Sequence, residues 1–260
     1  MALAEFIGCA LVAFGPSLSM FCVTIALCPI RVIIFITAAF FWLMSLLLSS
    51  ILWCSADAIF KPSDKRGLVI FGVVEAVLFQ ELFRLIFYKI LRKAEYGLKK
   101  VTEVGHHGNV VSDSRQTLAY VSGLGFGAIS GGFSLLNVLA EIGGPASVGL
   151  FGQSEWFVLV SSFTTSLFIL LNTAWGVILF YSYDAKNYVL AGSTVLLHLI
   201  CSLLTLFNKN GDYVASLVPI TLITVLCAGA AFRCAGGKYR RLGSIFSRVS
   251  HSESESITPS

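Results

Sequence analysis

The chain has 260 residues, 56% of them hydrophobic and only 12% charged, with a formal net charge of +4 and a mean hydropathy of +0.84. An average soluble domain carries about 25% charged residues, so this composition cannot coat a water-facing globule. It excludes a soluble domain, nothing in the basic residues suggests nucleic acid, and the chain reads as a polytopic membrane protein.

A helix needs about 20 mostly apolar residues to cross roughly 30 Å of hydrocarbon. Such runs fall at about Leu3–Leu27, Arg31–Ser55, Gly67–Ile90, Leu118–Ala140, Trp156–Tyr181, Tyr188–Phe207 and Val214–Phe232. The expected fold is an all-α, seven-transmembrane-helix bundle. The first run carries Glu5 where a secretory signal would be basic, and it exceeds the roughly 7–15 apolar residues of such a signal. It reads as a retained span, with Gly15-Pro16 as the one clear helix breaker. Pro29 sits poorly inside a helix, so Cys28-Pro29-Ile30 reads as the turn of a hairpin joining the first two spans.

The third run holds Glu75, Gln80, Glu81 and Arg84 at membrane depth. Ionisable groups there are costly and mark functional hypotheses by default. Glu81 and Arg84, spaced i,i+3, can pair on one helix face, either as a self-neutralised pair or as a contact for a partner helix. Glu75 lies deeper without a local partner, so it is expected to be protonated or turned into the bundle.

The fourth run contains "YVSGLGFGAISGG", in which Gly123, Gly127 and Gly131 fall four residues apart. Positions at that spacing share one helix face. In lipid, small residues let backbones approach, so the three glycines read as a packing groove for a neighbouring helix or another protein. Val121 is expected to lie off that face. The fifth and sixth runs place Asn172 and His198 at membrane depth. A lone buried histidine reads as a structural hydrogen-bonder, and one imidazole without further ligands supplies no zinc site. The expectation is therefore no catalytic residue, no metal and no cofactor.

Orientation follows from lysine and arginine in the loops. With the N-terminus lumenal or extracellular, the inner segments hold 13 basic residues against 4 outside, leaving Arg84 within the third span. The C-terminus is then cytosolic. Residues 1–236 form the membrane domain, and 237–260, ending in "HSESESITPS", form a cytosolic tail expected to be disordered. Basic residues just inside the membrane also suit contact with membrane lipids. The seven cysteines lie within or at the ends of spans without a CxxC, and read as packing thiols.

Several of these stretches together resemble one family. "FIGCALVAFGPSLSMF", "AAFFWLMSLLLSSILW", "LFQELFRLIFYKILRKAEYGL", "LAYVSGLGFGAISGGFSLLN" and "GGPASVGLFGQS" are similar, in the same order, to segments of the Aph (anterior pharynx defective) family. That family is the seven-span scaffold subunit of gamma-secretase. The resemblance implies a non-catalytic assembly subunit, with presenilin, nicastrin and the small presenilin-enhancer subunit as partners. It implies cleavage by presenilin of single-span proteins such as Notch-type receptors. The compartments it implies are endoplasmic reticulum, Golgi, plasma membrane and endosomes. The chain departs from the family once. The sixth-span histidine is present as His198, but the fifth-span position is Asn172, whose amide donates and accepts hydrogen bonds without titrating near neutral pH.

Other readings fit less of the sequence. A rhomboid-like serine protease would pair Ser130 with His198, but the serine lacks the Gly-x-Ser context and the oxyanion-stabilising residues of the second span are missing. An aspartyl protease needs two facing carboxylates, whereas Asp57, Asp64, Asp113, Asp184 and Asp212 all lie at or beyond span ends. A seven-span receptor would show Asp/Glu-Arg-Tyr and Asn-Pro-x-x-Tyr motifs, and a small transporter would show broken helices in related halves. Neither pattern appears in the sequence.

Overall fold

The computed structural model describes residues 2–60, 66–104, 115–143, 156–210 and 212–237. Residues 61–65, 105–114, 144–155 and 211 and the tail from 238 lie outside the described residues. The described chain is helical: α1 (Ala2–Thr24), α2 (Pro29–Phe60), α3 (Arg66–Val104), α4 (Arg115–Gly143), α5 (Phe157–Asp184), α6 (Tyr188–Leu204) and α7 (Tyr213–Cys234). A short 3₁₀ turn, Thr205–Asn210, tightens the chain after α6.

Six of these helices are long and apolar enough to cross a membrane by length and composition. The seventh, α3, holds Glu75, Glu81 and Arg84 in its apolar part and continues to Val104, well past the expected end at Ile90. Length and composition therefore support one span fewer than the seven expected.

Pro29 opens α2 at its first position, where a fixed φ suits the helix and the missing N–H breaks no bond. Asn187 caps α6 by accepting from the Leu190 N–H at 3.1 Å. Gly15-Pro16 does not interrupt α1, which runs through Pro16, and α7 likewise contains Pro219. The one clear breaker in the sequence thus lies inside a continuous helix, in keeping with a single apolar run over Leu3–Leu27. Nearby hydroxyls occupy main-chain acceptors of α1, with Ser19 bonding to the Gly15 carbonyl at 2.9 Å and Ser17 to the Phe14 carbonyl at 2.9 Å.

The bundle is organised about α5, which packs against α1, α4, α6 and α7. Trp175, Leu171, Leu179 and Phe180 on α5 are buried in the main core cluster. In turn α4 lies between α2 and α5, and α3 closes the other side by bridging α2 and α6. The outward faces of α1, α2, α3 and α7 are apolar, carrying Leu11, Ile51, Leu78 and Leu226 among their exposed side chains. That pattern places lipid, not water, around the bundle. The packing-thiol expectation holds for Cys9, Cys201 and Cys227, which are buried, but Cys22 and Cys54 are exposed on the outer surface.

Candidate functional site: a buried polar network beside a glycine interface

The glycine face of α4 is filled by α5 of the same chain. A β-carbon at Gly127 would lie 2.6 Å from the Ile169 carbonyl oxygen, and one at Gly123 would lie 2.8 Å from that of Thr173. At Gly131 it would meet the Ile169 side chain at 2.7 Å. The approach is mutual, because a β-carbon at Gly176 of α5 would come within 2.7 Å of the Gly123 α-carbon. A second face of α4 does the same against α2, where a β-carbon at Gly125 would stand 2.5 Å from the Phe35 carbonyl oxygen. Glycine here lets two backbones share a space that any side chain would occupy. Val121 is fully buried against Ile25, Leu124 and Ile169, so it is a core position and not the open one the spacing suggested.

This close approach brings Asn172 of α5 into reach of α3. Arg84 Nη2 donates to Asn172 Oδ1 at 2.6 Å, and Nη1 to the Asn172 carbonyl at 3.3 Å. Asn172 Nδ2 donates to the Phe168 carbonyl at 3.0 Å. The Arg84 Nε lies 3.5 Å from Glu81 Oε2, and Glu81 Oε1 takes a 2.6 Å bond from His198 Nδ1 on α6. The four side chains are 6% (Glu81), 1% (Arg84), 1% (Asn172) and 2% (His198) exposed. Two ring contacts complete the site: the His198 ring stacks on Trp175 at 4.3 Å, and the Arg84 guanidinium stands 5.0 Å from the Phe126 ring centre on α4. One continuous polar chain thus ties α3, α5 and α6 together, with α4 supplying an aromatic wall.

With the imidazole neutral, the formal charges of Glu81 and Arg84 cancel. A buried ion pair is tolerable only when further hydrogen bonds support both partners; here Asn172 bonds Arg84 and His198 bonds Glu81, while Arg84 Nε and Glu81 Oε2 face each other at 3.5 Å without a hydrogen bond. Asn172 uses both ends of its amide, accepting from Arg84 while donating to its own helix. The His198 Nδ1 is committed to Glu81, not to a serine hydroxyl. Among the described residues no group of three or more His, Cys, Asp or Glu side chains could hold a metal ion. What the arrangement can do chemically is fix three helices in register.

Glu75 stands apart from this network. It is 5% exposed on α3, and Ser49 of α2 faces it without closing a hydrogen bond to either buried carboxylate oxygen.

A second polar cluster, which sequence reasoning passed over, joins the C-terminal part of α3 to the C-terminal end of α5. Arg92 grips Asp184 with two bonds, Nη2 to Oδ2 at 2.6 Å and Nε to Oδ1 at 3.0 Å, and Tyr88 donates to the same carboxylate at 2.8 Å. Arg92 also reaches Glu95 at 3.0 Å, and Glu95 accepts from Arg115 at the start of α4 at 3.3 Å. Burial lowers the Arg92 pKa, but Asp184 and Glu95 more than offset this and hold it above the ordinary arginine value. Only Arg92–Glu95, an i,i+3 pair, carried a spacing signal in the sequence, because the cluster's other links run 20 to 96 positions apart.

Comparison with known proteins places these features in a wider set. A family model described as Aph-1 protein matches residues 4–238. The chain is 48% identical to "Gamma-secretase subunit Aph-1" of Drosophila melanogaster over 240 residues, covering 92% of this chain and 96% of that one. It is 41% identical to "Gamma-secretase subunit APH-1B" of Homo sapiens over 245 residues, covering 93% of each. With "Gamma-secretase subunit APH1-like" of Arabidopsis thaliana it shares 28% identity over 245 residues, covering 93% of this chain and 96% of that one.

Proposed function

This chain belongs to the Aph-1 family, and from that premise we propose that it is a non-catalytic scaffold subunit of gamma-secretase. In this reading it binds presenilin, nicastrin and the small presenilin-enhancer subunit, and presenilin cuts single-span substrates such as Notch-type receptors. The complex resides in the endoplasmic reticulum, Golgi, plasma membrane and endosomes. The observation that carries the reading is the family match across residues 4–238. The site geometry agrees with it: His198 is held by Glu81 and Trp175, and Asp184 is held by Arg92 and Tyr88. Groups so committed fit a structural task better than proton transfer.

All seven helices cross the membrane in this proposal. The ionisable groups of α3 do not argue against a span there, because Glu75, Glu81 and Arg84 are turned inward while Phe71, Leu78 and Leu82 are exposed. A helix with that division presents an apolar face to lipid and keeps its charges in protein. Seven crossings put the two termini on opposite sides, and the 13-to-4 distribution of basic residues puts the C-terminus in the cytosol. Residues 1–236 are then the membrane domain and 237–260 the cytosolic tail.

Affinity purification of the tagged full chain in mild detergent, with identification of the bound proteins, tests the proposal. Presenilin and nicastrin should co-purify in near-equal amounts. Recovery of the intact, membrane-inserted chain without either would contradict it.

A further inference from the structure

One face of α3 changes character along its length. Leu82, Ile86, Lys89 and Lys93 are all exposed, and a spacing of i, i+4, i+7 and i+11 puts them on one stripe of the helix. Two alkyl side chains are thus followed by two ammonium groups. On the adjoining face, Arg92 holds Asp184 through bonds of 2.6 and 3.0 Å. Lys186 comes two residues after Asp184, in the turn between α5 and α6, so that grip brings it to the level of Lys89 and Lys93. It is exposed, as is Tyr188 just beyond it.

The carboxylates at this end are already engaged, Asp184 by Arg92 and Glu95 by Arg92 and Arg115. Among the described residues, Lys89, Lys93 and Lys186 have no hydrogen bond or ion pair. Here the arginines tie helices together and the lysines are left over. Lys186 also takes a left-handed backbone conformation, with φ 53°, which asparagine and glycine adopt more readily than lysine. The turn gives no structural reason for a lysine, so its charge is what the position adds.

We propose that Lys89, Lys93 and Lys186 form a binding site for a membrane lipid whose headgroup carries clustered phosphates, of the phosphoinositide class. Depth is the first argument. Lys89 and Lys93 are separated along α3 by about 6 Å at roughly 1.5 Å per residue, and the headgroup layer on each side of the hydrocarbon is roughly 5–8 Å thick. The two lysines fill that layer while Leu82 and Ile86, on the same stripe, face the acyl chains. An acidic peptide would use the ammonium groups but not the alkyl pair beside them. Tyr188 adds an amphipathic ring of the kind found at headgroup level. Charge is the second argument. Three unpaired cations, linked through the Arg92–Asp184 grip, match a headgroup with several phosphates better than one with a single charge. Lysine serves as a point-charge ligand for phosphate.

The proposal rests on the reading above that α3 crosses the membrane with its C-terminal part in the cytosol. A reversed orientation would fail in a tag-protection assay while leaving lipid binding by the purified chain intact, so the two can fail separately.

The test is native mass spectrometry of the detergent-purified full chain titrated with phosphatidylinositol 4,5-bisphosphate. Phosphatidylserine at matched total headgroup charge and soluble inositol trisphosphate form the comparison arms. Wild type should retain one bisphosphate lipid and bind it about tenfold or more tightly than either comparison compound, a gap of about one power of ten in Kd. Each single change of Lys89, Lys93 or Lys186 to Gln should weaken binding about fivefold, and the triple variant about a hundredfold, at the usual contribution of one lysine near an anionic surface. Lys186→Asn should bind about fivefold more weakly yet melt at or above wild type, since asparagine suits the left-handed turn. Unchanged lipid binding with lowered melting would make Lys186 a purely structural residue and overturn the site. Equal binding of phosphatidylserine would reduce the patch to diffuse attraction, and equal binding of inositol trisphosphate would remove the lipid; either result also overturns the proposal.

Discussion

Alanine at Gly127 tests whether the α4–α5 contact is as close as the glycines allow. Its β-carbon would sit 2.6 Å from the Ile169 carbonyl oxygen and 3.1 Å from the Ile169 α-carbon, where ordinary contact begins at 3.4 Å. The helices must therefore part by about 0.8 Å, the difference between these two distances. The obstacle is helical backbone, which cannot swing aside like a side-chain tip. Overpacking of this kind costs about 1–3 kcal/mol, and backbone resistance places it at the upper end. Alanine recovers about 1 kcal/mol of helix propensity, leaving a net loss of roughly 2 kcal/mol. Gly132→Ala is the matched control on the same helix, since nothing lies within 4 Å of its added carbon. It should be neutral or stabilising. The assay is thermal unfolding of the detergent-purified chain followed by tryptophan fluorescence, with both variants beside wild type. Gly127→Ala should melt clearly below wild type and Gly132→Ala at or above it. Equal melting of the two alanine variants would refute the close-packing argument.

The remaining predictions concern the polar groups. Arg84→Met strands the Glu81 carboxylate and the Asn172 amide oxygen in the core, and should destabilise the chain by about 3–5 kcal/mol in the same melting assay. Adding Glu81→Leu to it should restore part of that loss, because the uncompensated charge is gone; a purely additive double variant would show that the pair does not act as a unit. His198→Gln keeps a donor for Glu81 and should assemble nearly as well as wild type, whereas His198→Leu should lose assembly, with a cost of about 1–3 kcal/mol for the unpaired carboxylate. Asp184→Asn removes the charge gripped by Arg92. Because that pair is partly exposed, the loss should be no more than about 1 kcal/mol and should shrink in high salt.

Much of this architecture was legible from the residue pattern. Apolar runs of membrane length located all seven helices within a few residues at most ends, and glycines four apart announced a face without a side chain. The sequence could not say what filled that face. The answer, Ile169 and Thr173 of α5, depends on which helices become neighbours, and spacing along one helix carries no such information. The same limit applies to the polar network. Glu81, Arg84, Asn172 and His198 were each identifiable as costly at membrane depth, but only the i,i+3 pair could be joined from the chain alone. The link from Glu81 to His198 spans 117 positions. Val121 misled for a related reason: α4 packs on two sides, so a residue off the glycine face still meets α1 and α2. The run of α3 past Ile90 was hidden because its later residues are charged, so the hydropathy signal stops while the helix continues to Val104.

The central claim is that this chain supports gamma-secretase by holding shape and takes no part in the chemistry. Substrate cleavage by complexes reconstituted with His198→Gln, normalised to the amount of assembled complex, tests it most directly. A glutamine amide cannot act as a general base, yet it can keep the bond to Glu81. The account predicts turnover per complex close to that of wild type, with any loss of total activity tracking loss of assembly. Fully assembled His198→Gln complexes that fail to cleave would contradict it.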